Sequence, residues 1–225
     1  MFIGHYAVGF AAKRLAPRVS LGTLLSAALL LDLVWPILVL CGIERVRIAP
    51  GDTVMTPLDF EYYPYSHSLV MAVVWGLVFG LLYFALRRDR AGALVVGLLV
   101  PSHWFLDLLV HRPDLPLSFG DSAKLGWGLW NSMAITLLLE YGFFALGILV
   151  YLSTTRPLDR IGRWAFWGLV AFLALGFASD VGGPPPPSVS ALAWMALALW
   201  LLVLWAWWVD RHRVVVLPQG TANKA

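Results

Sequence analysis

The sequence predicts an all-α, polytopic membrane helix bundle of about six transmembrane helices preceded by an N-terminal half-membrane helix. Three observations predict it. Of the 225 residues, 60% are apolar and only 13% are charged, about half the charged share of an ordinary soluble domain. Apolar runs of span length, such as 22–41 and 69–86, recur along the chain. The 16 Lys and Arg residues fall in short clusters between those runs. Six spans of about 20 residues leave roughly 105 for connections and tails, too few for a folded extramembrane module.

Taken in order, residues 2–15 form an apolar, helix-compatible stretch that closes on Lys13 and Arg14 and is too short to cross a bilayer. Its charges follow the apolar run, the reverse of a cleavable signal peptide. Spans are expected at 20–42, 67–86, 91–111, 126–152, 162–179 and 190–209. The connection 43–66 is long and rich in Pro, Asp and Tyr, Arg87 to Arg90 is a tight basic turn, and 182–188 holds a stiff proline run.

Alternate connections divide the basic residues unevenly. Lys13, Arg14, Arg18, Arg87, Arg88, Arg90, Arg156, Arg160, Arg163, Arg211, Arg213 and Lys224 fall on one side, and Arg45, Arg47, Arg112 and Lys124 on the other. The positive-inside rule then places both termini on the cytoplasmic side and turns the connections 43–66 and 112–125 outward. Clusters of this kind read as topology, which removes the nucleic-acid reading of a pI near 9.2. The single cysteine, Cys41, excludes an intramolecular disulfide and a thiolate metal site.

An ionisable side chain inside a span costs about 2.5–3.5 kcal/mol on insertion scales, so each one is a functional hypothesis. His103, Asp107 and His111 recur at i, i+4 spacing in the third span and make one polar stripe on a helix. Asp32 interrupts the first span, His67 opens the second, and His5 lies in the N-terminal helix. At about 1.5 Å per residue, His5 reaches about 12–14 Å from the basic end and Asp32 about 18 Å; His103, Asp107 and His111 stand at about 20, 26 and 32 Å. Those depths converge on a site that opens outward with His5 and Asp32 as its floor.

Imidazole and carboxylate form the ligand set of zinc, iron or manganese, and six donors suffice for one or two ions. Zinc is the first expectation. Asp32 and Asp107 are the catalytic candidates, Asp32 as base or second-metal ligand and Asp107 as bridging ligand. Glu140, in the fourth span, either orients a ligand histidine or is a helix contact. Arg112 either holds a substrate phosphate or reaches lipid headgroups. Asp59 and Glu61 are expected as solvated loop carboxylates, and Tyr62, Tyr63 and Tyr65 as an interfacial aromatic belt. Taken singly, each histidine or aspartate could also be a satisfied helix contact.

Gly4-His5 with Gly9, the span carrying Leu31-Asp32, the step Tyr65-Ser66-His67-Ser68 and the run from Ser102-His103 through Asp107 to His111 resemble the bacterial inner-membrane proteins described as predicted membrane-bound, metal-dependent hydrolases, a group that includes LexA-regulated members. The pattern is also distantly similar to the spaced His and Asp ligands of zinc-dependent phospholipase C. The resemblance covers roughly residues 1–150. It implies a location in the bacterial inner membrane, hydrolysis of a phosphoester or ester on a membrane lipid or lipid-linked substrate, and the ligand set His5, Asp32, His67, His103, Asp107 and His111. It also divides the chain into a hydrolase-like domain, 1–154, and two further helices with a cytoplasmic tail, 155–225.

The competing reading is a transporter, or a metal- or proton-handling protein, that uses the same stripe as an ion path. Against it, the stripe has no second copy after residue 125, as an inverted repeat would supply. HExxH and GxSxG are both absent.

Overall fold

The structure is a computed structural model and describes residues 1–216; Lys224, counted above on the basic side, lies outside the described residues. The polypeptide is a helix bundle of the predicted class. Among the described residues, five stretches are long and apolar enough to cross a membrane: α5 (Leu69–Arg87), α6 (Arg90–Val110), α7 (Met133–Thr154), α8 (Arg160–Gly182) and the continuous pair α9 (Val189–Leu197) and α10 (Leu199–Arg211). A sixth is the bent pair α2 (Leu21–Ala28) and α3 (Leu30–Leu40), turned by 58° at Leu29.

The surface confirms the solvent these helices expect. On α5 only Ala72, Gly76 and Gly80 are buried, while Leu77, Leu81 and Leu86 are exposed. A helix that hides its small residues and displays its leucines is packed for lipid. Its partner is α6, reached through a turn in which Arg88 takes a left-handed conformation and Asp89 caps Gly92. The pair lies backbone to backbone, since a Cβ on Gly76 would stand 2.4 Å from the Gly97 carbonyl oxygen.

The N-terminal stretch becomes α1 (Ile3–Ala12), about 15 Å long and sunk inside the bundle, with Ile3, Tyr6 and Phe10 fully buried. Its bed is α7, where a Cβ on Gly147 would meet the Ala7 carbonyl oxygen at 2.5 Å. Ile3, Tyr6 and Phe10 share one apolar core with Phe144 and Tyr151 of α7, Phe166 and Leu169 of α8, and Val203 and Ala206 of α10. A second core joins Leu24, Leu31 and Trp35 to Val96, Val100 and Trp104.

The connection 43–66 is more ordered than a loop. It folds into an antiparallel hairpin, β1 (Arg45–Ile48) with β2 (Leu58–Tyr62), and then the single-turn α4 (Pro64–His67). A shorter pair, β3 (Leu115–Pro116) and β4 (Lys124–Leu125), lies beside it. The expected span from 126 begins only at Met133; before it stands a 3-10 turn at Leu129–Asn131. At the opposite end, β5 (Thr155–Pro157) pairs with β6 (Arg213–Val215).

Candidate metal centre

The break between α2 and α3 is where the centre begins. No proline or glycine lies at Leu29. Instead His103, on α6, brings Nδ1 to 2.8 Å from the carbonyl oxygen of Ala28, the last residue of α2. A side chain inserted into the helical ladder is a recognised cause of a kink. Because a carbonyl only accepts, Nδ1 carries the proton and Nε2 is left with its lone pair.

That Nε2 has no hydrogen-bond partner among the described residues, although it is buried. It faces Asp107 Oδ2 at 3.1 Å and Asp32 Oδ1 at 3.7 Å. His5 Nε2 lies 3.1 Å from the other oxygen of Asp107, and its ring stacks on His103 with centroids 3.5 Å apart and planes within 5°. His67 Nε2 completes the group, 3.4 Å from Asp32 Oδ1 and 3.9 Å from Asp107 Oδ2.

Two sets of three can each hold an ion, His5 with His103 and Asp107, and Asp32 with His67 and His103; within a set the ligand atoms lie within 4.8 Å of one another. His103 belongs to both. The free Nε2 and the mixed imidazole and carboxylate donors fit a divalent ion of the zinc, iron or manganese type. The side chain of Asp32 is 28% exposed whereas those of the other four are at most 6% exposed, so the centre has one open side, at Asp32.

A relay orients His67. Glu44 is buried and accepts from Ser66 twice, from the backbone N–H at 2.8 Å and from the hydroxyl at 2.6 Å. With its proton spent on Glu44, the Ser66 oxygen accepts from His67 Nδ1 at 2.7 Å, which turns Nε2 toward the aspartates. Burial pushes the Glu44 carboxyl above its ordinary range despite the hydrogen bonds from Ser66. Glu44 carries no helical spacing to any donor, and the sequence reading misses it.

His111 is not brought into this group, a correction to the expected stripe. α6 ends at Val110, and His111 is extended (φ −61°, ψ 144°), so the i, i+4 series stops at Asp107. Its Nδ1 bonds Asp114 at 2.9 Å, and its ring packs on Trp130 with centroids 4.2 Å apart. Tyr63 stands between, its ring 5.4 Å from His67 and 6.2 Å from His111 and its hydroxyl donating to Asp114 at 3.1 Å. Tyr63 is therefore buried packing and not part of an interfacial belt. Burial works to raise the Asp114 carboxyl, but the His111 bond and those from Arg112 and Tyr63 outweigh it and hold it below its ordinary value.

Arg112 is committed elsewhere. Its guanidinium bonds Asp114 at 3.0 Å and also pairs with Asp52 and Asp59, which ties the 43–66 connection down and leaves no free fork for a phosphate. Asp59 and Glu61 both pair with Arg47. Glu140 bonds no histidine among the described residues. It accepts from the backbone N–H groups of Phe2 at 2.7 Å and Gly4 at 2.8 Å, and so fixes the start of the helix that carries His5. The Met1 amine adds an ion pair to Asp107.

No family model matches the chain, and no curated protein or solved structure matches it either.

Proposed function

We propose that the chain is a membrane-bound, metal-dependent hydrolase acting on a lipid-associated or periplasmic phosphoester or ester. The observation that carries the reading is His103 Nε2, buried, unpartnered and facing two aspartates at 3.1 and 3.7 Å. His5, His67 and His103 would hold the ion or ions with Asp32 and Asp107, zinc first and iron or manganese next. A divalent ion supplies Lewis acidity and a bound water with a pKa near about 7.

The chain's own groups do the rest. Asp32, on the open side, accepts the proton of the attacking water at its carboxylate. Asp107 sits between His5 and His103 and presents one oxygen to each at 3.1 Å. The buried walls exclude bulk water, which strengthens each of these interactions. The resemblance of the His and Asp pattern to the predicted membrane-bound hydrolases, and distantly to zinc-dependent phospholipase C, supports the phosphoester class and the bacterial inner membrane, and the distribution of Lys and Arg supports cytoplasmic termini.

One observation favours the second reading, an ion carrier. A span broken beside buried ionisable groups is a transporter feature, and α2 and α3 are such a span. The deciding measurement is metal content by mass spectrometry on detergent-purified protein, wild type beside His103→Ala, followed by assays on phospholipid and phosphoester substrates. Stoichiometric metal lost in the variant, with ester cleavage, supports hydrolysis. Metal bound without cleavage of any ester supports a metal carrier, and folded protein that binds none overturns hydrolysis and leaves the stripe as a proton path or a helix-packing network.

A further inference from the structure

A cleft of about 630 Å³ opens at one end of the bundle, between α5 and α10, with α2 as its back wall. Apolar and aromatic side chains supply most of its surface, among them Phe79 and Leu82 of α5 and Trp200 and Trp207 of α10. Trp207 is fixed in place: its indole N–H donates to Ser20 Oγ at 2.7 Å, and its ring lies where a Cβ on Gly22 would fall. Behind the cleft, α10 is thus locked to α2.

Three arginines line the cleft from three different segments: Arg18 ahead of α2, Arg87 in the last turn of α5 and Arg211 at the end of α10. All three are exposed, and none forms an ion pair among the described residues. Among the described residues the one carboxylate lining the cleft, Asp210, is already taken by Lys13, whose Nζ donates to it at 2.8 Å. Reaching for headgroups, or complementing a helix end, accounts for an arginine at each terminus. Neither accounts for three converging on one apolar gap.

A gap between helices within a bilayer is filled by acyl chain, and a basic pocket between spans selects an anionic headgroup. We infer that this cleft binds one anionic glycerophospholipid, its phosphate among Arg18, Arg87 and Arg211 and an acyl chain against Leu82 and Trp200. The lipid would close the bundle between α5 and α10 without touching the His and Asp donors. The inference is independent of the hydrolase reading.

The test is native mass spectrometry of the full chain in mild detergent, with phosphatidylglycerol and phosphatidylcholine of identical chains in competition. One phosphatidylglycerol is retained, and since each arginine near the surface contributes a factor of about five toward an anionic lipid, the preference exceeds fivefold. Arg18→Gln with Arg87→Gln and Arg211→Gln brings the preference toward unity, while lysine at the same three positions keeps it. Leu82→Trp fills the space the acyl chain would take and expels the lipid with every arginine intact. Equal retention of the two lipids by the wild type overturns the inference, a measurement that needs no variant to fold. A preference that survives the glutamine substitutions or Leu82→Trp overturns it too.

Discussion

His103 and Ala28 are joined by a hydrogen bond from the imidazole Nδ1 to the carbonyl oxygen at the point where the first span breaks. The same contact bends the helix and sets the tautomer that leaves Nε2 free. Asp32, four residues beyond Ala28 and in the first turn of α3, is carried by that bend to within 3.7 Å of His103.

Since His103 belongs to both sets of donors, the three histidines should not be equivalent. His103→Ala is expected to bring bound metal to background, whereas His5→Ala and His67→Ala each spare one set. Metal stoichiometry in the three variants checks this. Equal and complete loss in all three would mean a single ion held by every donor at once.

Glu44→Gln should weaken metal binding about 10–100-fold, the usual effect of removing a partner that orients a ligand histidine. Ser66→Ala should do the same and also destabilise the protein by about 1–3 kcal/mol, because it leaves Glu44 buried without that hydroxyl. Competition with a chelator reads the first effect and unfolding in detergent the second. Unchanged affinity in both variants would remove the relay from the account.

Replacing Glu140 by Ala strips the acceptor from the N–H groups of Phe2 and Gly4. The expected loss is about 2 kcal/mol or more of stability, since hydrogen bonds to charged groups are the strong ones. The His5 contribution to metal binding should fall with it. Protection of the α1 backbone amides from hydrogen exchange is the direct readout, and full protection in the variant would contradict the anchoring role.

Gly147→Ala places a methyl group where the Ala7 carbonyl oxygen lies 2.5 Å away. α1 must shift from α7, at a cost of about 1–3 kcal/mol for overpacking. Thermal unfolding of the variant, with metal content measured alongside, tests whether this contact seats His5.

Asp114 gives the outward network a pH dependence. Its folded pKa lies below the ordinary carboxylate value, so its stabilisation is fully present above about pH 4 and disappears as pH falls through the lower folded value. Melting temperature followed downward from pH 6 should therefore drop more steeply in the wild type than in Asp114→Asn. Parallel curves would show that Asp114 does not supply the dependence.

The bundle is legible in hydropathy because lipid-facing helices must be apolar on their outer side; the expected spans at 67–86, 91–111 and 162–179 lie within a few residues of α5, α6 and α8. Residues 126–132 illustrate the failure. Trp127 and Trp130 count as apolar in a turn as much as in a helix. His111 fails for another reason, that a helical stripe exists only while the helix lasts. Pro113 restricts the residue before it and is the sequence signal that α6 should end near Arg112. The donors His5, Asp32, His67, His103 and Asp107 stand out as ionisable groups in apolar surroundings, and the structure places all five together. Glu44 and the Ala28 carbonyl do not stand out, because what makes them matter is a contact between distant segments.

The seating of α1 on α7 also orders the protein's biogenesis. The groups that hold the helix of His5, Glu140 and Gly147, follow it in the chain by more than a hundred residues. At about 5–20 residues per second, the nascent chain waits roughly 10 s with His5 undocked while the other four donors are already made. Until α7 arrives the inserted chain is a vessel with its stopper still loose, the His5 helix unseated beside donors that are already in place.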